Sequence, residues 1–259
     1  MTDLGAQSWY MLVRHARNLL RERIWVLLLL VQPMVWLFLY SQLFTRITEL
    51  GGFGTDRYLD FFLPGVVCMN ALFAGAWSGM SMVTDLDRGV VERFLATPVH
   101  RSALVFSQVM RAALQAGIQG TILVAVGVVL LGANIAGGVP GAIAIVGTGM
   151  LLAGGFSGLS HGIALLTRRE ATMIAIANFI SLPLMFVATI LMARPLMPEW
   201  MQIASRFNPV DWGVRAARGP ALPGTDWLAV VAHLGLLAGF ALLTATFATW
   251  AFRVYQRTL

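Results

Sequence analysis

The chain has 259 residues, 58% hydrophobic and 12% charged, with a net charge of +6 and a mean hydropathy of +0.76. A soluble domain carries about 25% charged residues, so this chain has too little polar side chain to cover a water-facing surface; it is excluded from the soluble globular class and has room for about six membrane spans of about 20 residues. All eighteen basic residues are arginine, which removes the lysine that a P-loop extends to nucleotide phosphates and excludes an ordinary ATP site in this chain.

Residues 1–23 place Trp9, Leu12, Val13, Ala16, Leu19 and Leu20 on one helical face and Tyr10, Arg14, Arg17, Asn18 and Arg21 on the other. That periodicity predicts a helix lying in the headgroup region, arginines toward anionic lipid, rather than a cleaved signal; an ordinary flanking helix has the same pattern. Six spans are expected at 24–44, 58–83, 103–132, 139–166, 171–193 and 227–252, which makes the chain an all-α integral membrane protein. The third is longer than one straight crossing needs, and tilt would absorb the excess. The single Cys68 lies in an apolar run and the four histidines, His15, His100, His161 and His233, are scattered. Neither a disulfide framework nor a metal cluster follows from them.

Polar or aromatic residues inside spans are candidates for a substrate pathway: Gln32, Trp36 and Tyr40 in the first, Asn70, Phe73 and Trp77 in the second, Asn178, Phe179 and Phe186 in the fifth. Aromatics in membrane helices also pack simply on neighbours or lipid, and that alternative stays open for each of them. Pro33 and Pro183 read as local bends. Arg111, about 12 Å into the third span at 1.5 Å per residue, is expected to snorkel back to the cytoplasm. The acidic residues all read as span edges, loops or flanks, so no carboxylate is expected at the centre of a span.

Two connecting segments carry more than topology requires. Between the second and third spans, 84–102 contains Val90, Val91, Phe94 and Leu95 on one helical face with Arg88, Glu92 and Arg93 around it, and Thr97-Pro98 ends the helix. A plain positively charged loop is one reading. Phe94 and Leu95 in water favour another, a short helix that docks against a cytoplasmic protein. Before the sixth span, 194–226 holds five prolines and two short amphipathic pieces, which read either as a surface loop with interfacial tryptophans or as helices dipping into the outer leaflet. Arginines number eleven in segments 1–23, 84–102, 167–170 and 253–259, against six in 45–57, 133–138 and 194–226. That bias predicts both termini in the cytoplasm.

The stretch RGVVERFLATPVHRSALVFSQVM, from Arg88 to Met110, resembles the first intracellular segment of type-2 ATP-binding-cassette (ABC) exporter permeases. The stretch LMPEWMQIASRFNPVDWGVRAARG resembles the segment before their last span. The similarity is closest to permeases of daunorubicin-resistance-type drug exporters and their polysaccharide- and lipid-exporting relatives. Gly89-Val90 departs from the Gly-Thr of many members and leaves the helix start open. The resemblance implies that Glu92, Arg93, Phe94 and Leu95 form a coupling helix seated on a separate ATPase, with Thr97 and Pro98 as its terminator. It places Arg14, Arg17 and Arg21 on a connecting helix, and Pro198, Trp200, Asn208 and Pro209 in an outer re-entrant loop. It further implies two permeases, the second identical or homologous, and two copies of an ABC ATPase that binds ATP and Mg. No nucleic-acid partner is expected, and the location implied is the bacterial inner membrane. The expected function is export of a hydrophobic or amphipathic compound, with envelope polysaccharide or glycolipid export as the alternative and an ion-coupled secondary transporter as a weaker one.

Overall fold

Helices make up all the regular structure of the computed structural model, which describes residues 23–88 and 101–257. The arginines at 14, 17 and 21 and the coupling residues Glu92, Arg93, Phe94, Leu95, Thr97 and Pro98 lie outside the described residues. In chain order the α-helices are α1 (Arg23–Leu43), α2 (Tyr58–Trp77), α3 (Gly79–Asp87), α4 (Arg101–Val129), α5 (Gly138–Thr167), α6 (Glu170–Val187), α7 (Glu199–Ser205), α8 (Pro209–Arg218) and α9 (Trp227–Gln256).

Five stretches among the described residues are long and apolar enough to cross a membrane: Tyr58–Asp87, Phe106–Val129, Gly138–Thr167, Glu170–Val187 and Trp227–Gln256. At 18 to 30 residues they reach about 27 to 45 Å, against a hydrocarbon layer of about 30 Å. Their outward faces are apolar, with Phe179 81% and Leu228 80% exposed. Such a surface is stable against lipid tails and would associate in water. Helical backbone bonding inside each segment is what lets it sit there.

The central element is α5, which packs on α9, α4 and α2. Its glycines make this possible. A methyl group on Gly158 would meet Thr244 Oγ1 at 2.9 Å, and one on Gly162 would collide with the Phe247 ring. Spaced four residues apart, the two glycines clear one face of α5 for the α9 backbone. On another side Leu152 and Phe156 join Leu63, Val67 and Leu72 of α2 in one buried core.

Three expected boundaries move for a hydrogen-bonding reason, and the last span runs on to Gln256 rather than 252. The second span is broken at Ser78, where Ser78 Oγ donates to Gly75 O at 2.6 Å and Gly79 N donates across to Ser160 Oγ at 3.0 Å. The fifth stops at Val187 rather than 193, because Thr189 N donates to the Asp211 carboxylate at 2.9 Å instead of continuing the helix. The third ends at Val129 rather than 132; Gly132 adopts a φ of +70°, a left-handed conformation that glycine accepts freely. There Arg57 Nη1 donates to Gly132 O at 2.6 Å and closes the turn.

Candidate functional site

The four-residue spacing of Arg111, Gln115 and Gln119 puts three polar side chains in one row along α4. That row faces a cleft of about 620 Å³ between α1, α2, α4 and α6, within the range of small-molecule sites, about 300–1,000 Å³. Opposite it, α1 supplies Gln32 and Trp36, α2 supplies Asn70, Phe73 and Trp77, and α6 supplies Asn178 and Phe186. Asn70 Nδ2 donates to Oε1 of the buried Gln119 at 2.9 Å, which ties α2 to α4 across the cleft wall. The lining therefore alternates amides, which donate and accept, with flat aromatic faces.

Seven of the nine sequence candidates meet here: Gln32, Trp36, Asn70, Phe73, Trp77, Asn178 and Phe186. Two do not. Tyr40 stacks on Trp36 at 5.2 Å and leans on Phe62 at 5.6 Å, so it belongs to the aromatic packing between α1 and α2. Phe179 lies outside the lining and is 81% exposed on α6. Arg111 lines the cleft, and its Nη2 donates to Ser81 Oγ at 2.8 Å, near the end of the expected second span. Pro33, read as a bend, is inside α1 and also lines the cleft. Gln115 and Gln119 are not among the sequence candidates; their four-residue spacing from Arg111 is the signal that marks them.

At the α2–α3 break the cleft meets a buried polar knot. Ser78 Oγ lies 3.0 Å from Ser157 Oγ and 3.4 Å from Nδ1 of the fully buried His161. His161 Nδ1 is 2.8 Å from Ser157 O; a carbonyl only accepts, so Nδ1 carries the proton. Helix α3, which leads toward the charged segment after Asp87, thus starts on a cross-link to α5.

The end of the bundle that carries α7 and α8 is locked by ions. Asp211, fully buried, accepts from Thr189 N at 2.9 Å and Thr189 Oγ1 at 2.6 Å. Its other oxygen pairs with Arg215 Nε at 2.7 Å. Arg218 Nη2 donates to Thr189 O at 2.8 Å, Arg218 Nε donates to Phe61 O at 3.1 Å, and the guanidinium lies 3.5 Å over the Phe61 ring. Burial pushes the Arg218 pKa down to about 10 while Asp211 opposes the fall, so it stays a cation at neutral pH. Asn208 accepts from Val210 N at 2.9 Å and donates to Leu184 O at 2.7 Å. With Pro209 at the first helical position it starts α8 and fastens it to α6. Pro198 precedes α7, and Trp200 on that helix is 64% exposed.

The described lining of the cleft offers shape, aromatic surface and hydrogen bonds, the means of binding a small molecule. A sequence profile of the ABC-2 type transporter family matches residues 6–222. The chain belongs to that family. ABC-2 members are transport permeases, not catalytic enzymes, and this ABC-2 chain is similar to two named ones. It is 26% identical over 223 residues to the daunorubicin resistance ABC transporter permease protein DrrB1 of Streptomyces coeruleorubidus, covering 83% of this chain and 76% of that one. It is 30% identical over 195 residues to a transport permease by name, ycf38 of Cyanophora paradoxa, covering 73% of this chain and 65% of ycf38. The matched ABC-2 region contains the whole cleft, from Gln32 to Phe186, and the ion-locked end through Arg218.

Proposed function

We propose that this chain is the transmembrane permease subunit of an ATP-driven exporter that moves a hydrophobic or amphipathic compound, a drug or a lipid, out of the cytoplasm or inner leaflet. In this reading α1, 21 residues long, is a sixth span, α7 and α8 form the outer re-entrant pair, and both termini face the cytoplasm of a bacterial inner-membrane protein. Two ABC ATPase subunits bind ATP and Mg and act through Glu92, Arg93, Phe94 and Leu95, while a second permease, identical or homologous, completes the pathway. Arg14, Arg17 and Arg21 belong to the connecting helix. The observation that carries the reading is the cleft: aromatic walls with an amide row, set among membrane-crossing helices of an ABC-2 chain.

Export of an envelope polysaccharide or glycolipid is the second reading, favoured by the amides of Gln32, Asn70, Gln115 and Asn178, which suit sugar hydroxyls. An ion-coupled transporter has less support, since buried Asp211 is already paired with Arg215.

The test is ATP-dependent uptake of a fluorescent amphiphile into inverted membrane vesicles holding the chain and its ATPase. Trp77→Ala with Phe73→Ala removes two aromatic contacts and is expected to weaken apparent affinity about tenfold at unchanged protein level. Wild-type uptake by that double variant would remove the cleft from the pathway; wild-type uptake of the amphiphile being absent while a glycolipid is moved would select the second reading.

A further inference from the structure

The cleft wall carries charge at one point. Arg111 is the one charged side chain among the described residues that line it, and none of them is an aspartate or a glutamate. Ser81 Oγ donates to Ser78 O at 2.7 Å and accepts from Arg111 Nη2 at 2.8 Å. These two bonds set the guanidinium at the α2–α3 break, and a hydroxyl, being neutral, orients the cation without carrying an opposite charge.

The wall is also ordered along its length. From Arg111 to Gln119 the row on α4 runs about 12 Å at 1.5 Å per residue. Beside its charged end stand Ser78 and Ser81. Beside its far end stands Asn70, whose bond to Gln119 at 2.9 Å occupies part of the amide capacity there. Phe73 and Trp77, one turn apart on α2, give aromatic faces between the two ends, and Phe186 adds a third from α6. A cation at one end with apolar faces beyond it complements an amphiphile whose head is an acid. An ammonium head would meet a like charge and find no carboxylate in the described wall.

We infer that the cleft selects amphiphiles with an acidic head, a carboxylate or a phosphate, held by Arg111 with the apolar body along Phe73, Trp77 and Phe186. This names the substrate class within the exporter reading and rests on the cleft being that exporter's binding site. The fork of guanidinium N–H groups matches the paired oxygens of either acid. A volume of about 620 Å³ suits a drug-sized molecule rather than a polymer.

The full chain in maltoside detergent is titrated by fluorescence with four dansyl-tagged undecyl amphiphiles that differ only in the head: carboxylate, phosphate, methyl ester and ammonium. Affinities are referred to the amphiphile concentration within the micelle, measured on protein-free detergent. Each acid is expected to bind about tenfold more tightly than the ester, the effect of one charge-assisted hydrogen bond, and the tighter of the two names the head. Arg111→Gln should bring the acids to within about twofold of the ester, whereas Arg111→Lys, which keeps the charge, should retain a preference of about threefold or more. A merely structural arginine would not change selectivity between heads on one common tail. Gln115→Glu places a carboxylate one turn from Arg111 on the same row and should cancel the acid preference with Arg111 still in place; should Arg111→Gln unfold, this variant carries the test. Equal wild-type affinity for acids and ester, or an acid preference that survives Arg111→Gln or Gln115→Glu, would overturn the inference. The assay needs no ATPase, so an acid preference without ATP-dependent uptake would remove the exporter reading and leave the selectivity of the cleft standing.

Discussion

Asp211 shows how one side chain can decide where two elements end. Its carboxylate takes the Thr189 N–H and hydroxyl, stopping α6, and holds Arg215 one turn along α8. Asp211→Asn keeps the shape but removes the charge beside two guanidiniums, leaving Arg215 partly buried and unpaired. Breaking a buried pair from one side costs about 3 kcal/mol. The expected result is a clear drop in unfolding temperature in detergent, with Thr189→Val producing a smaller one; an unchanged midpoint for Asp211→Asn would mean the network is incidental. Sequence alone places Asp211 in a loop because a carboxylate's burial depends on a partner 22 positions away. Periodicity cannot see that distance. The row of Arg111, Gln115 and Gln119 escaped the sequence reading although its regular spacing needs no partner to be read, whereas the sequence candidates Trp36, Phe73 and Trp77 line the cleft and Tyr40 does not.

Among the elements, α5 depends on close approach more than on side-chain fit. Gly158 faces Thr244 of α9 with no room for a methyl, whereas Gly147 on the same helix borders open space, with nothing within 4 Å of where a Cβ would sit. The pair makes an internal control. Gly158→Leu must push α9 outward, and overpacking of this kind costs about 1–3 kcal/mol; Gly147→Leu should be close to neutral. Equal unfolding temperatures for the two variants would show that the α5–α9 contact is loose. Helix existence was legible here from long apolar runs, since five of the expected spans recur as membrane-length helices. Helix ends were not. The break at Ser78 arises from Ser160 on α5, which takes the Gly79 N–H, and the end of α6 arises from Asp211. Both are decisions made by a neighbouring element, and nothing local in the sequence announces them.

For the molecule as a whole, the proposed function requires that a partner's force enter a chain that lacks every lysine. The route can be traced through covalent connection and two polar ties. Segment 88–101 joins the end of α3 to the start of α4. Behind it, α3 is held to α4 by Arg111 to Ser81 at 2.8 Å and begins on the Ser78–Ser157 contact at 3.0 Å. Ser78, Ser81 and Arg111 all line the cleft. Met82 and Val83 of α3 also pack on Ala164 and Leu165 of α5, Met173 of α6 and Ala248 of α9, so α3 touches both the cleft's polar end and the rest of the bundle. Glu92 is the one acid among the arginines at 88, 93 and 101, and reversing it turns a mixed surface into a uniformly basic one. Glu92→Arg is expected to leave the chain folded in membranes and ATP hydrolysis by the partner running, while transport falls by about tenfold or more, since a misplaced charge at an interface costs several kcal/mol. Arg111→Gln, which weakens the internal tie without touching the docking surface, should lower transport while leaving ATPase binding in a pull-down intact. Wild-type transport by Glu92→Arg would dismiss the segment as the point of coupling; lost ATPase binding by Arg111→Gln would show that the tie shapes the docking surface rather than relaying movement from it.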